Sequence, residues 1–286
     1  MNGTGHETWR RFRRSRLAVA AVIYVAFVAA VALCAPLLAR DGGAIVPYSP
    51  DSVRLAERLQ PPDGAHLLGT DDLGRDILSR LIHGARVSLA VGIFASLISL
   101  VVGSILGSIA GYYGDAADWI VSRIAEVVLC FPFLFLVLGI VALFKPSMAT
   151  IMIALGLTSW PNEARYVRGE ILRIRDLEFA HAARASGARD FRIIFRHLLP
   201  NALAPVLVSS TFAVAWAILI ESALSFLGLG VPLPTASWGG ILSASHDHIE
   251  YAWWMVLFPG LAIFFTVAAF NLVGERFREA IDPRSE

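Results

Sequence analysis

The chain has 286 residues, of which 56% are hydrophobic and 16% are charged, and its formal net charge is +1. Soluble domains carry roughly 25% charged residues, so the composition indicates a membrane protein and argues against a basic nucleic-acid-binding protein. The single lysine, Lys145, precedes a proline. The phosphate-binding motif GxxxxGK[ST] is therefore absent, and an ATPase of that type is excluded.

The chain begins with a basic tail, residues 1–16, followed by an uncharged apolar segment, residues 17–39. This apolar run exceeds the ~15 residues of the apolar core of a signal peptide, so we expect a first transmembrane helix that stays in the protein. Residues 40–83 contain Pro/Gly-rich stretches and are expected on the outer side of the membrane. Cys34 lies in the first segment and Cys130 in a later one. Both are predicted to be packing residues and not a disulfide pair.

Five further apolar segments follow within residues 84–275, at 87–113, 119–144, 146–160, 201–226 and 251–274. A spanning helix needs about 20 apolar residues, and the shortest segment, 146–160, is expected to continue beyond Pro161. The pattern predicts an all-α polytopic membrane protein with six transmembrane helices. Residues 276–286 are expected to form a terminal tail.

Arginine placement predicts the orientation, because short cytoplasmic loops carry an excess of positive charge. Arginines cluster in the tail before the first helix, in residues 165–196, and in the C-terminal tail. We expect all three regions, and so both termini, in the cytoplasm. The stretch 40–86 is an exception and contains Arg54, Arg58, Arg75, Arg80 and Arg86. It also carries acids, and longer loops obey the rule poorly.

The most informative stretch is ILRIRDLEFAHAARASGARDFRIIFRHLLPNALAP, residues 171–205, between the fourth and fifth spans. Its first half places small residues on a helix that is expected to begin near Asp176 and to end at Gly187. Its second half has apolar residues at the i, i+3, i+4, i+7 spacing of one helix face, namely Phe191, Ile194, Phe195 and Leu198. Such an amphipathic insert is typical of a membrane protein that is gripped by a soluble partner.

This stretch resembles the EAA loop of ABC-transporter permeases, with His181 in place of the leading glutamate of the motif. Two other stretches, HLLGTDDLGRDILSRLIHGARVSL (66–89) and ESALSFLGLGVPLPTASWG (221–239), resemble signatures of the C-type permease subunits of dipeptide, oligopeptide and nickel importers. The final AIDPR is similar to the usual ending of these subunits. The resemblance implies the type I ABC importer permease fold, with residues 84–275 as the ABC type-1 transmembrane domain and a coupling loop at 171–200.

The resemblance also implies a set of partners in a bacterial plasma (inner) membrane. These are a B-type permease that forms the other half of the pathway, two cytoplasmic ABC ATPase subunits and an extracytoplasmic substrate-binding protein. The ATPases would bind ATP and Mg, and this chain would hold no cofactor or metal and would not be an enzyme. The contacts with an ATPase are expected at Glu178, His181, Ala182, Ala183, Ser186 and Gly187.

The expected function is import of di- or oligopeptides, with nickel complexes or glutathione as alternative substrates. A stand-alone secondary transporter is a rival interpretation, but such proteins usually contain internal repeats and coupling-ion sites, and neither is evident here. A structural membrane anchor is a weaker rival.

Four smaller features each have two interpretations. The spacing of Gly103, Gly107 and Gly111 predicts either a tight helix contact or simple glycine enrichment in membranes. Glu221, deep in the fifth span, either lines the pathway or holds structure by hydrogen bonding. Arg123 and Glu126 form either a charge pair at the membrane surface or a gate. The string HDHIE, residues 246–250, is either a solvated loop or a metal site.

Overall fold

The computed structural model describes residues 15–43 and 45–281, without the side chains of Ala204 and Ile281. Most of the arginines of the basic tail and the AIDPR ending, apart from its first two residues, lie outside these ranges. The described residues form nine helices of seven residues or more and no strand: α1 (Arg16–Leu38), α2 (Ile77–Tyr113), α3 (Asp115–Cys130), α4 (Phe133–Leu143), α5 (Met148–Ile174), α6 (Glu178–Ala185), α7 (Leu199–Phe226), α8 (Trp238–Ala244) and α9 (Trp254–Ile281).

By length and composition, four helices of the described ranges can cross a membrane, namely α1, α2, α7 and α9. The pair α3 and α4 together would make a fifth span. Helix α5 has 27 residues, which is long enough for a sixth, although its C-terminal half is charged. Helix α5 also continues through Pro161, as expected from the sequence. The all-α membrane fold is confirmed.

The third span predicted over 119–144 is broken into two helices in the structure. Helices α3 and α4 meet at a bend of 89°. The bend lies at Phe131 and Pro132, where Phe131 has the extended backbone angles φ −85° and ψ 135°. A proline ring disfavours helical backbone angles at the residue before it. Helix α3 therefore ends before Pro132, and the chain continues into α4 in a different direction.

Helix α2 begins ten residues before the predicted start of the second span, at Ile77 and not at residue 87. Asp76 caps it by accepting a hydrogen bond from the backbone N–H of Ser79 at 2.7 Å. The boundary expected between an outer segment and the domain, at residues 83 and 84, therefore falls inside a continuous helix. The prediction counted only the uncharged part of α2 and overlooked its aspartate cap.

The outer segment before α2 is folded against the helix by buried charges. His66 lies between Asp76 at 2.8 Å and Glu57 at 3.3 Å. Asp71 pairs with Arg75 at 2.7 Å and lies 3.6 Å from Arg80. Ion pairs that are buried and hydrogen-bonded hold geometry more than they add stability. Two of the arginines that break the expected charge pattern are thus paired inside this segment.

Helix α2 packs along α5 through a row of glycines. A Cβ added to Gly103 would lie 2.5 Å from the Cβ of Glu163, and one on Gly107 would lie 2.5 Å from the carbonyl oxygen of Ala164. A Cβ on Gly111 would lie 2.9 Å from the Cβ of Ile171. Only glycine permits this backbone approach, and close packing is the main source of helix association in lipid.

We expect Gly107→Ala to destabilise the chain by about 1–3 kcal/mol, the usual cost of overpacking a tight contact. The free energy of unfolding of the purified protein in detergent is the measurement. Gly169→Ala is the matched control, because that glycine lies on α5 and a Cβ added to it would have no atom within 4 Å. Equal stability of the two variants would contradict the tight contact.

Candidate functional site

Helix α6 lies between the two long helices α5 and α7 and ends in a glycine-based cap. The backbone N–H of Ala188 donates to the carbonyl of Ala183 at 3.2 Å, and that of Gly187 donates to the carbonyl of Arg184 at 2.9 Å. These two bonds define a Schellman motif, which requires a left-handed residue after the helix. Gly187 has that conformation, with φ +73°.

The start of α6 differs from the sequence prediction. The helix begins at Glu178, with Leu177 as its N-cap, and not at Asp176. Asp176 instead lies 3.5 Å from the guanidinium of Arg175, and the turn between α5 and α6 uses a backbone bond from Leu177 to Ile174. The side chain of Asp176 therefore makes no capping bond to α6.

The six residues expected to contact an ATPase lie on two different faces of α6 and its C-terminal cap. Ala183 is half-buried and packs toward the apolar cluster formed by α5, α7 and the intervening turns. The other five are exposed: Glu178, His181, Ala182, Ser186 and Gly187. Ala180 is the buried anchor of the helix at 0% exposure. The side chains on the exposed face are thus short around Ala182 and Ser186 and polar at the N-terminal end of the helix.

Polar bonds tie this loop to the C-terminal end of α2. The guanidinium of Arg175 donates to the carbonyl of Gly111 at 2.9 Å, and the hydroxyl of Tyr112 donates to Asp190 at 2.8 Å. Arg184 donates to the carbonyl of Arg175 at 3.0 Å and lies over the ring of Tyr112. The loop that contains α6 is thus bonded to α2 as well as to the helices that flank it.

The second half of the loop is helical, and the predicted apolar face is buried or half-buried except at Phe191. Residues Ile193–Leu198 form a π-helical turn. Ile193, Ile194 and Leu198 are buried there, whereas Phe191 is 73% exposed. A π turn closes i→i+5 bonds and so changes the rotation of the helix relative to the 3.6-residue spacing used in the prediction.

A cavity of about 510 Å³ lies between α2, the bend of α3 and α4, α5 and α7. Its walls are aromatic and apolar at Phe133, Tyr166, Phe212 and Trp216. A polar strip from α5 runs along one side and consists of Thr158, Ser159, Asn162 and Glu163. The volume is within the ~300–1,000 Å³ range of small-ligand pockets.

Glu163 is the one acidic residue among those that line this cavity. The residue is 6% exposed, and its Oε2 lies 2.9 Å from the hydroxyl of Ser209. The same hydroxyl lies 2.7 Å from the carbonyl of Val206, so its single proton is shared between two acceptors. Within the described residues, Glu163 has no cationic partner. Ser99, also in the wall, is 1% exposed and its hydroxyl has no partner in the described part of the chain.

Glu221 lies away from this cavity in a separate polar cluster. It is 0% exposed and accepts hydrogen bonds from Ser88 at 3.1 Å and from Ser225 at 2.8 Å. The hydroxyl of Ser88 also accepts the backbone N–H of Trp238 at 3.3 Å. Glu221 thus joins α2, α7 and the start of α8.

The remaining candidate residues are exposed, except the half-buried His248. Arg123 and Glu126 form a pair at 2.7 Å on α3. His246 contacts Asp247 at 3.1 Å, and His248 contacts the hydroxyl of Tyr251 at 2.6 Å. In the described ranges, no group of three or more His, Cys, Asp or Glu residues is arranged to hold a metal ion.

The prediction from sequence did not single out Glu163, although the fourth span was expected to continue beyond Pro161. A signal was present: Ser159, Asn162, Glu163 and Tyr166 are polar residues at the i, i+3, i+4, i+7 spacing of one helix face. All four line the cavity.

The fold is similar to a chain of the MetNI methionine ABC transporter in an inward-facing conformation. The TM-score is 0.57, with 21% sequence identity, over 71% of this chain and 96% of that chain. At this identity the similarity concerns the fold alone. It agrees with the importer permease fold predicted from the sequence.

Sequence relatives cover nearly the whole chain. The dipeptide transport system permease protein DppC of Alkalihalophilus pseudofirmus is 41% identical over 97% of this chain and 89% of its own length. The oligopeptide transport system permease protein OppC of Bacillus subtilis is 38% identical over 96% and 88%. The glutathione transport system permease protein GsiD of Pectobacterium atrosepticum is 40% identical over 97% and 90%.

Two family models match the chain. The model of the N-terminal TM domain of oligopeptide transport permease C matches residues 4–62. The model of the binding-protein-dependent transport system inner membrane component matches residues 103–286, which include the glycine row, the α6 loop and most of the cavity lining. The chain therefore belongs to the family of binding-protein-dependent transport system inner membrane components.

Proposed function

We propose that this chain is one permease half of an ATP-driven importer of di- or oligopeptides in a bacterial inner membrane. The observation that carries the proposal is the arrangement of α6. Its exposed, short-chained face ends in a Schellman cap, while its buried face is anchored at Ala180. A surface of this kind can seat in a cleft of a soluble partner and pass force to the membrane helices.

The coupling would operate as a lever. Closure of an ATPase dimer displaces α6, and the bonds from Arg175 to Gly111 and from Tyr112 to Asp190 carry that displacement to α2. Because α2 and α5 are held together by the glycine row, the helices around the cavity move as a unit. Hydrolysis of ATP, with its Mg, belongs to the partner ATPases in this proposal, and the chain contributes no cofactor of its own.

The remaining partners follow from family membership. A second, B-type permease would complete the pathway, and an extracytoplasmic binding protein would deliver the substrate. The names of the relatives favour peptides, with glutathione as the second candidate. Both carry a primary amino group, which suits a cavity with one carboxyl side chain and aromatic walls.

Uptake by the reconstituted complex is the direct test of the substrate. We expect proteoliposomes that contain both permeases, the ATPases and the binding protein to accumulate labelled dipeptide when ATP is supplied. Glutathione and a nickel complex are the comparison substrates. Accumulation of glutathione or nickel without any peptide uptake would overturn the peptide assignment.

We expect both termini and the α6 loop to be cytoplasmic. Ser186→Cys, in a background with Cys34→Ser and Cys130→Ser, should react with an impermeant maleimide only after the cells are opened. Asp247→Cys, at an 86% exposed position of the opposite side, should react in intact cells. Labelling of Ser186→Cys in sealed cells would contradict the orientation.

We expect Gly187→Leu to weaken the association with the ATPase by about tenfold or more, equivalent to at least ~1.4 kcal/mol. The leucine adds bulk at the docking face and strains a left-handed residue. Copurification of the ATPase and substrate-stimulated ATP hydrolysis are the measurements. Gly228→Leu is the control for strain, since Gly228 has φ +77° and ends α7 in a similar cap. If the two variants lose hydrolysis equally, strain and not docking is responsible.

A further inference from the structure

We infer that Glu163 holds the N-terminal ammonium group of a peptide as it passes through the cavity, an inference that rests on the proposed function. A carboxylate within a membrane-spanning helix carries a large desolvation cost, and such residues mark substrate pathways or pair with one another. The pairing explanation has no support within the described ranges, because no cation of this chain reaches Glu163. The carboxylate instead lines a cavity of about 510 Å³.

The hydrogen bonds around Glu163 leave it with unused capacity. An ionised carboxylate accepts up to about four hydrogen bonds, and here it shares one hydroxyl proton with the carbonyl of Val206. Ser99, on the facing helix α2, has a buried hydroxyl without a partner in the described residues. A primary ammonium donates three hydrogen bonds, so it can donate to the carboxylate of Glu163 and also to a hydroxyl oxygen of the cavity wall.

The other residues of the cavity wall suit the apolar part of a peptide next to its ammonium group. Tyr166, Phe212 and Trp216 present aromatic surface to the cavity, and aromatic faces attract cations and pack against apolar side chains. A metal cation is a poorer fit, since it would need several oxygen ligands from the protein and Glu163 is the single carboxylate among the lining residues.

The glycine row holds Glu163 at its position on the cavity wall. Gly103 lies against the Cβ of Glu163, so α2 fixes the first carbon of the side chain and leaves the carboxylate to extend into the cavity. A longer residue at 103 would displace α5 and the carboxylate with it.

The test compares Glu163→Gln with wild type for two substrates, Ala-Ala and its N-acetylated form. Glutamine keeps the shape and an acceptor oxygen for Ser209, so the variant is expected to assemble. Uptake of Ala-Ala relative to acetylated Ala-Ala should fall by about tenfold to a hundredfold, the range for loss of one charge-assisted hydrogen bond. The binding protein is the same for both permeases, so its own preference cancels when the two ratios are compared.

Glu221→Gln is the matched control, because Glu221 is also a buried carboxylate of a membrane helix but lies outside the cavity. It should leave the substrate ratio unchanged. An unchanged ratio in Glu163→Gln, with wild type importing peptide, would overturn the role of Glu163 and leave the proposed function intact. A complex that imports no peptide at all would overturn the proposed function itself. A third outcome would also overturn the inference: Glu163→Gln no longer copurifies with the second permease, while the complexes that still form take up peptide normally. Glu163 would then belong to the contact between the two permeases.

A second measurement needs neither the binding protein nor a variant of Glu163. Ser159→Cys, with Cys34 and Cys130 replaced by serine, places a thiol in the cavity wall of the assembled complex. Ala-Ala should slow its reaction with a soluble maleimide, whereas the acetylated peptide should not. Equal protection by both peptides would contradict recognition of the ammonium group.

Discussion

Close contact between α2 and α5 is the constraint on which the other parts of the molecule depend. The contact is made by backbone against backbone at Gly103, Gly107 and Gly111. Gly103 and Gly111 lie beside two different parts of the protein. Gly103 faces Glu163 in the cavity, and the carbonyl of Gly111 accepts the bond from Arg175 beside α6. One helix pair thus connects the α6 loop to the wall of the cavity.

Much of the fold could be predicted from the sequence because lipid imposes a simple length rule. Segments of about 20 apolar residues form helices, since every backbone group must be bonded within the bilayer. The prediction failed where local backbone chemistry overrides that rule. Pro132 divides the third span into α3 and α4 with an 89° bend, and the Asp76 cap extends α2 by ten residues into a charged stretch.

The candidate site was predictable only in part. The α6 loop could be recognised from the sequence because it is a charged amphipathic insert between two apolar spans. Gly187 is a strong signal for the end of its helix. The bonds from Arg175 and Tyr112 to other elements were not predictable, because they depend on how α2 ends relative to α5. Glu163 was overlooked because it lies beyond the uncharged part of the fourth span, where the sequence does not show what the helix packs against. Only the packing of α5 against α2 places it beside a cavity.

The bend at Pro132 interrupts the backbone hydrogen bonding of the third span beside the cavity. The last carbonyl groups of a helix lack helical partners, and Leu129 and Phe133 at this bend line the cavity wall. Open backbone at membrane depth is tolerated where it meets protein or water, not lipid. The cavity gives these carbonyl groups a place for water, so the third span can change direction without exposing unpaired backbone to lipid.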